Sequence, residues 1–208
     1  MKPTVTVVDY GIGNLLSVTR ALEHCGAQVK LESSPLFIAK AERLVLPGVG
    51  AFSNGMDELR QRNLIDTLRN YAAGGRPLLG ICLGMQMLLD GSDEFGASDG
   101  LGLIPGWVRK LPEQPGIKLP NIGWSGIRPP VGREWQNTLL ADTTPGQEVY
   151  FVHSFYAEPE DPADCLAQTP YGDFQFCSVI KRGNISGCQF HPEKSGEAGL
   201  GMIREFLR

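Results

Sequence analysis

The segment Pro77-Leu78-Leu79-Gly80-Ile81 is apolar at every position and runs directly into Cys82-Leu83-Gly84. Five residues with no polar position do not suit a strand that is wet on one face. They fit a strand inside a parallel sheet covered on both sides. Glycines at 80 and 84 let a strand and a helix approach closely across one tight turn, so a helix is expected from Leu83 to about Leu89. A chain built around this segment is an α/β protein.

The residues before it supply the rest of such a sheet. Thr4 to Asp9 is a β-branched run, followed by the Gly-rich turn Gly11-Ile12-Gly13-Asn14. Leu15, Val18, Leu22 and Cys25 recur at helical spacing, and Gly26 ends that helix. Val29 and Leu31 mark a short strand, and Leu44-Val45-Leu46 marks another, closed by Pro47-Gly48-Val49-Gly50. One helix is expected after Ser53 and Asn54, carrying Met56, Leu59, Ile65, Leu68 and Ala72 on one stripe and ending at Gly74-Gly75. This order predicts right-handed crossovers and a three-layer αβα sandwich around a mostly parallel, flavodoxin-like sheet.

Beyond Gly96 the texture changes, with Gly or Pro every few residues as far as Pro120. Val149 to Ala157 reads as one strand. Phe174 to Ile180 and Ile185 to Phe190 read as a hairpin linked by Lys181-Arg182-Gly183-Asn184. Leu200, Ile203, Phe206 and Leu207 give a terminal amphipathic helix. These are antiparallel additions to the first half, and residues 1–208 are expected to form a single domain. The 26 glycines and 15 prolines fit many tight turns and do not fit a helical bundle.

Charge and patterning exclude several functions. The net charge of -4 offers no basic stripe for a nucleic-acid backbone. The apolar run at 77–89 falls short of the ~18–20 residues of a membrane span, and the N-terminus lacks the apolar stretch of a signal peptide. The five cysteines, at 25, 82, 165, 177 and 188, include no CxxC pair, which argues against structural zinc or a redox motif. Their odd number leaves at least one thiol unpaired and points to a reducing compartment, the cytoplasm.

Most free cysteines are small buried hydrophobes. Cys82 differs because Gly80-Ile81-Cys82-Leu83-Gly84 has the G-x-C-x-G spacing of a nucleophile elbow at a strand–helix junction. Amides of the helix that follows would favour a thiolate, and the Leu83 amide would offer a donor to an oxyanion. A thiol nucleophile needs a base, and the histidines are His24, His153 and His191. His24 suits a helix C-terminus, and His153 suits a structural role within its strand. His191 follows a strand in Gln189-Phe190-His191-Pro192-Glu193, where ligands of α/β sheets bind. Pro192 keeps His191 extended, so Glu193 can orient its ring and complete a Cys-His-Glu set. Gly48-Val49-Gly50 closes a neighbouring parallel strand and is either a plain turn or a second source of oxyanion donors. The G-x-G-x-x-S at 11–17 lacks the third glycine of a dinucleotide fingerprint, so no nucleotide site is expected there. The residues therefore predict acyl transfer through a thioester, with amides, esters and peptides all open as substrates.

Gly80 to Gln86 together with His191-Pro192-Glu193 resembles the class I, triad-type glutamine amidotransferases. Within them the chain is similar to the glutaminase subunits of imidazole glycerol phosphate synthase. The likeness rests on Asp9 to Leu15, Pro47 to Phe52, Asn121 to Trp124, Tyr150 to Ser154 and Gln189 to Ser195, which span nearly the whole chain. The glutaminases of anthranilate, carbamoyl phosphate and GMP synthesis usually carry Pro-Gly-Pro-Gly in place of Pro47-Gly48-Val49-Gly50.

The resemblance implies hydrolysis of L-glutamine to glutamate and ammonia, without cofactor or metal. It also implies delivery of the ammonia to a (β/α)8-barrel cyclase subunit in a heterodimer, which makes imidazole glycerol phosphate and an aminoimidazole-carboxamide nucleotide in histidine biosynthesis. Carried onto this chain, Cys82 is the nucleophile, His191 the base and acid, and Glu193 the orienting group. Leu83 and Gly48-Val49-Gly50 contact the oxyanion, and Gly50, Gln86, Ser154 and Phe155 line the glutamine pocket. Phe155 stands where relatives often have Tyr, so only its backbone is expected to make polar contacts. Asn14, Trp124, Tyr150 and Lys194 fall near the partner, and the strand carrying His153 borders the site, although His153 itself need not be catalytic. Trp107 and Trp124 could each be core or surface. The competing readings are a glutaminase of another synthase, such as that for pyridoxal phosphate, a free-standing cysteine hydrolase, and a non-catalytic subunit. The intact set of Cys82, His191 and Glu193 weighs against the last.

Overall fold

A computed structural model describes residues 2–208. Strands β1 (Thr4–Val8), β2 (Gln28–Glu32), β3 (Arg43–Gly48) and β4 (Leu78–Cys82) alternate with helices α1 (Leu15–His24), α2 (Pro35–Ile38), α3 (Phe52–Gln61) and α4 (Ile65–Ala73). Helix α5 (Leu83–Met87) follows β4 without a break. Then come β5 (Gly91–Ser92), β6 (Ser98–Asp99), β7 (Gly106–Lys110), β8 (Asn121–Gly126) and β9 (Glu148–His153). The chain continues through β10 (Phe155–Pro159), β11 (Cys165–Tyr171), β12 (Phe174–Arg182) and β13 (Ile185–Cys188) to α6 (Gly196–Leu207).

The main sheet has the order β2-β1-β3-β4-β13-β12-β10-β7-β5-β6, with β11 also paired to β12. Its first five strands are mutually parallel, in the flavodoxin-like order, and β13 takes the fifth place. From β12 onward the pairing turns mostly antiparallel, but β13, expected among the antiparallel additions, lies parallel to β4 within the first half's sheet and is antiparallel only to β12. Side chains alternate between two cores. Val5, Val7, Val45 and Ile81 pack with Val18, Leu22, Met202 and Ile203 of α1 and α6 on one face. Val8, Leu44, Leu46 and Leu78 pack with Met56, Leu59, Leu68 and Met85 on the other, which gives the three layers.

Three local expectations are corrected. The single helix expected over residues 53–73 is two, α3 and α4. Asn63 takes φ 56 between them, and the Leu64 amide bonds back to the Leu59 carbonyl at 2.9 Å, a Schellman-type stop with Asn in the glycine position. Both helices keep the same buried stripe, so the hydrophobic pattern runs unbroken over a backbone that does not. The strand expected over 149–157 divides at Ser154. β9 pairs with β8 in a separate two-stranded ribbon, whereas β10 enters the main sheet between β7 and β12. The helix expected to reach Leu89 stops at Met87. Of the tryptophans left open, Trp107 is half-buried on β7 and donates from Nε1 to Asp93 at 2.8 Å, and Trp124 is 52% exposed on the ribbon.

Because β1, β3, β4 and β13 are parallel, their carboxyl ends share one edge. Gly48 is level with Cys82, and Cys188 is level with Ile81. That edge carries the residues of the site.

Candidate active site

Cys82 stands between β4 and α5 with φ 53 and ψ −112, a backbone that costs a non-glycine residue about 1–3 kcal/mol. The neighbouring packing enforces it. A Cβ on Gly84 would overlap the Leu46 carbonyl oxygen, and one on Gly80 would lie 2.7 Å from the Met85 nitrogen. The two glycines of the motif are thus needed for close approach, and the cost at Cys82 is the price of turning its thiol out over the edge. α5 has only five residues, so it contributes individual amides such as that of Leu83 rather than a sizeable dipole.

His191 lies just past β13 in extended backbone, and its amide bonds to the Tyr150 carbonyl at 3.0 Å. Its Nδ1 is 2.8 Å from Glu193 Oε1, and both side chains are almost wholly buried. Nδ1 is therefore the donor to the carboxylate, and Nε2 is the ring nitrogen left to exchange a proton with the Cys82 thiol. Nε2 is buried without a hydrogen-bond partner, although the Cys82 thiol is close enough to act on the ring's charge. Burial alone would pull the imidazole's pKa down. The contacts with Cys82 and Glu193 outweigh it and raise the value from 6.5 to about 9.

The Cys82 thiol opens into a cleft of ≈ 420 Å³. Val49, Gly50, Leu83, Gln86, Ser154 and Phe155 line it, together with Cys82 and His191. Glu193 and Gly48 do not reach the cleft. Glu193 sits behind His191, and Gly48 underlies the loop, where a Cβ would come 2.6 Å from the Tyr10 hydroxyl. That hydroxyl donates to the Pro47 carbonyl at 2.7 Å, which ties the loop to the turn that follows β1.

A buried set of amides runs behind the cleft. Gln86 Nε2 donates to the Phe155 carbonyl at 2.9 Å and to Gln189 Oε1 at 3.0 Å. Gln189 Nε2 lies 3.7 Å from Cys82 Sγ. The Phe155 carbonyl also receives His153 Nδ1 at 2.9 Å, and Asn121 Nδ2 approaches His153 Nε2 at 3.1 Å. Phe155 therefore turns its carbonyl inside the protein while the residue lines the cleft. Burial, opposed by the Phe155 bond and aided by the nearby His191, depresses the His153 pKa to about 4. His153 is neutral and structural, and it also lines the cleft.

Sequence reasoning missed Glu94, the acidic side chain of the cleft, whose carboxylate accepts the Phe52 amide at 2.7 Å at the start of α3. It also missed Asn121 and Gln189 as individual groups, although both lie within motifs it singled out. The four residues assigned to a partner lie outside the cleft. Asn14 caps α1 by accepting from the Ser17 amide at 3.3 Å. Trp124 and Tyr150 meet edge to face, with ring centroids 6.0 Å apart, and Lys194 is exposed next to Glu193. Ile122 and Val152 are cross-strand neighbours and exposed, as Trp124 and its neighbour Tyr150 are in part, so the outer face of the ribbon is apolar. Among the described residues no three His, Cys, Asp or Glu side chains converge as a metal set. Among the same described residues no helix is long and apolar enough to cross a membrane.

Residues 6–208 match the family described as glutamine amidotransferase class-I. The chain is 49% identical over 211 residues to imidazole glycerol phosphate synthase subunit HisH 1 of Legionella pneumophila (strain Lens), covering 99% of both. It is 45% identical over 201 residues to subunit HisH of Streptococcus sanguinis, covering 96% of this chain and 93% of that one. It is also 45% identical to part of the chloroplastic imidazole glycerol phosphate synthase hisHF of Arabidopsis thaliana, covering 98% of this chain and 34% of that longer protein. Among solved structures, PurLQS from Thermotoga maritima shares the fold with a TM-score of 0.74 at 20% identity, over 100% of this chain and 98% of that one. With the family matched over nearly its whole length and full-length relatives at this identity, the chain belongs to the class-I glutamine amidotransferases.

Proposed function

We propose that this protein is the glutaminase subunit of an imidazole glycerol phosphate synthase. The observation that carries the chemistry is the Cys82 thiol on its strained turn beside a bare His191 Nε2, with Nδ1 held by Glu193. The identity of 43–49% to subunits named HisH, over nearly the full chain, supports the choice of synthase. The whole of residues 1–208 acts as one amidotransferase domain.

L-Glutamine enters the cleft with its side-chain amide toward Cys82, and its ammonium group meets the Glu94 carboxylate. His191 Nε2 takes the thiol proton as sulfur bonds to the amide carbon. The carbonyl oxygen becomes an oxyanion, which the backbone amides of Leu83 and the Gly48-Val49-Gly50 loop stabilise. Collapse of this adduct breaks the C–N bond, and the imidazolium proton leaves with the nitrogen as ammonia. Water then gives a proton to Nε2 and attacks the thioester. The C–S bond breaks, glutamate departs, and the thiolate recovers its proton. Glu193 holds the tautomer throughout and stabilises each imidazolium.

The apolar outer face formed by Ile122, Trp124, Tyr150 and Val152, with Lys194 near its edge and Asn14 at the head of α1, is the docking face for the cyclase. The partner is a (β/α)8-barrel subunit in a heterodimer, which receives the ammonia in the cytoplasm and closes the imidazole ring with it.

Glutamate release from glutamine tests this reading in four mixtures. They are the protein alone, with the cyclase, with cyclase and its nucleotide substrate, and the last with Cys82→Ala. Weak release alone and strong, Cys82-dependent release in the third mixture is the expected result. Equal release in the first three removes the partner from the proposal, and none in any removes the glutaminase.

A further inference from the structure

We propose that Gln189 is a further catalytic residue: its side-chain amide donates to the Cys82 sulfur and stabilises it as a thiolate once His191 has taken the proton. The inference rests on Cys82 being the nucleophile, and it adds a group that the Cys-His-Glu set does not contain.

The direction of the Gln189 amide follows from its neighbours. A buried primary amide 3.7 Å from a sulfur could present either its oxygen or its nitrogen. Here the Oε1 end is occupied by Gln86 Nε2 at 3.0 Å. Gln86 cannot turn over, because the same Nε2 also donates to the Phe155 carbonyl, which can only accept. That carbonyl is held from its other side by His153 Nδ1, and the His153 ring is buried and neutral. Each group fixes the next, so Nε2 of Gln189 faces the sulfur as a donor.

The pairing of Gln189 with His191 comes from backbone geometry. Both residues follow directly on β13, which ends at Cys188, on either side of the core residue Phe190. One strand end therefore delivers two functions to one atom. The imidazole removes the proton, and the amide meets the charge left behind. Gln189 has no exposed surface, so no water competes for its N–H. A neutral thiol is a poor acceptor for a buried amide, and a thiolate is a strong one. The bond therefore strengthens as the nucleophile forms, which is the property a catalytic contact needs.

The test is the rate of Cys82 alkylation by iodoacetamide, which needs neither glutamine nor a partner. The full-length protein, Gln189→Met and Gln189→Glu are alkylated at pH 7, and each cysteine is followed by peptide mass spectrometry. Cys25, which is partly exposed, serves as the internal reference. The expected result is about a tenfold slower reaction at Cys82 in Gln189→Met, with Cys25 unchanged. Gln189→Glu, close in shape but placing a carboxylate against the sulfur, slows it at least as much. In the complex, kcat for glutamine falls by about the same factor while KM stays within about twofold. Equal alkylation rates in wild type and the folded variants overturn the proposal without touching the glutaminase assignment, which the Cys82→Ala mixture tests separately. If neither variant folds, by near-ultraviolet circular dichroism, the amide's duty is structural and the proposal also falls.

Discussion

His191 Nδ1 and Glu193 Oε1 are 2.8 Å apart, with the two side chains 3% and 1% exposed. A charge-assisted bond so removed from water fixes which ring nitrogen carries the proton. Glu193→Gln keeps the shape, weakens that choice and withdraws the charge that supports the imidazolium. The expected outcome is a fall in kcat of about a hundredfold with KM little changed, measured as glutamate release in the presence of the cyclase. An unchanged kcat would remove Glu193 from the mechanism.

The backbone at Cys82 gives a stability prediction with an unusual sign. At φ 53 a residue with a Cβ is strained and a glycine is not. Cys82→Gly should therefore be more stable than Cys82→Ala by about 1 kcal/mol in urea unfolding, with both inactive. The reverse order would mean that the turn is relaxed in solution.

Gly84 and Gly201 predict opposite responses to the same substitution. Gly84→Ala drives a methyl into the Leu46 carbonyl and should cost about 3 kcal/mol or more, enough to threaten expression of folded protein. Gly201 lies inside α6 with no atom within 4 Å of its missing Cβ. Gly201→Ala should raise stability by about 0.5–1 kcal/mol. Thermal melts of the two variants decide it.

Two histidines make stability depend on pH with opposite signs. The folded pKa of His191 is raised from 6.5 to about 9, so its contribution is complete below about pH 6.5 and is lost as pH climbs through 9. That of His153 is lowered to about 4, so its contribution is complete above about pH 6.5 and fades as pH falls toward 4. Unfolding free energies from pH 4 to pH 10 should fall away at both ends. His153→Gln should flatten the acid limb and His191→Gln the alkaline one, and a limb that survives its variant disproves the assignment of that limb.

Trp124 stands 52% exposed beside Tyr150 on the ribbon. Trp124→Asp should weaken cyclase binding by about 2 kcal/mol or more and leave the melting temperature within a few degrees. Calorimetric titration reads the first quantity and a thermal melt the second. Undiminished binding would place the docking face elsewhere.

The residues of the proposed catalytic set stood out in the sequence because each carries a local mark. Cys82 sits between two glycines whose absence of side chain is required, and His191 and Glu193 flank a proline that keeps the backbone extended. The parallel half of the sheet was equally plain, since Leu44 to Leu46 and Pro77 to Ile81 are apolar on both faces. What escaped depended on three-dimensional meetings. Glu94 belongs to a loop without periodicity and gains its place only where it meets the start of α3. Gln189 is 107 residues from the sulfur it approaches. The run Val149 to Ala157 has strand character throughout, so its change of sheet at Ser154 leaves no trace in composition. Asn63 ends α3 without interrupting the buried stripe, which is why two helices read as one.

The position of β13 between β4 and β12 has a consequence for the protein during its synthesis. The strand bearing Cys82 leaves the ribosome with one long edge unpaired, and its partner is encoded more than a hundred residues later. At typical elongation rates of about 5–20 residues per second, Cys82 waits roughly 5–20 s for His191 and Glu193 to arrive. During that interval the nascent chain has the thiol but not the base of the proposed mechanism, so on that mechanism it cannot release ammonia before the sheet closes. On the same mechanism, chains interrupted before β13 are born inert.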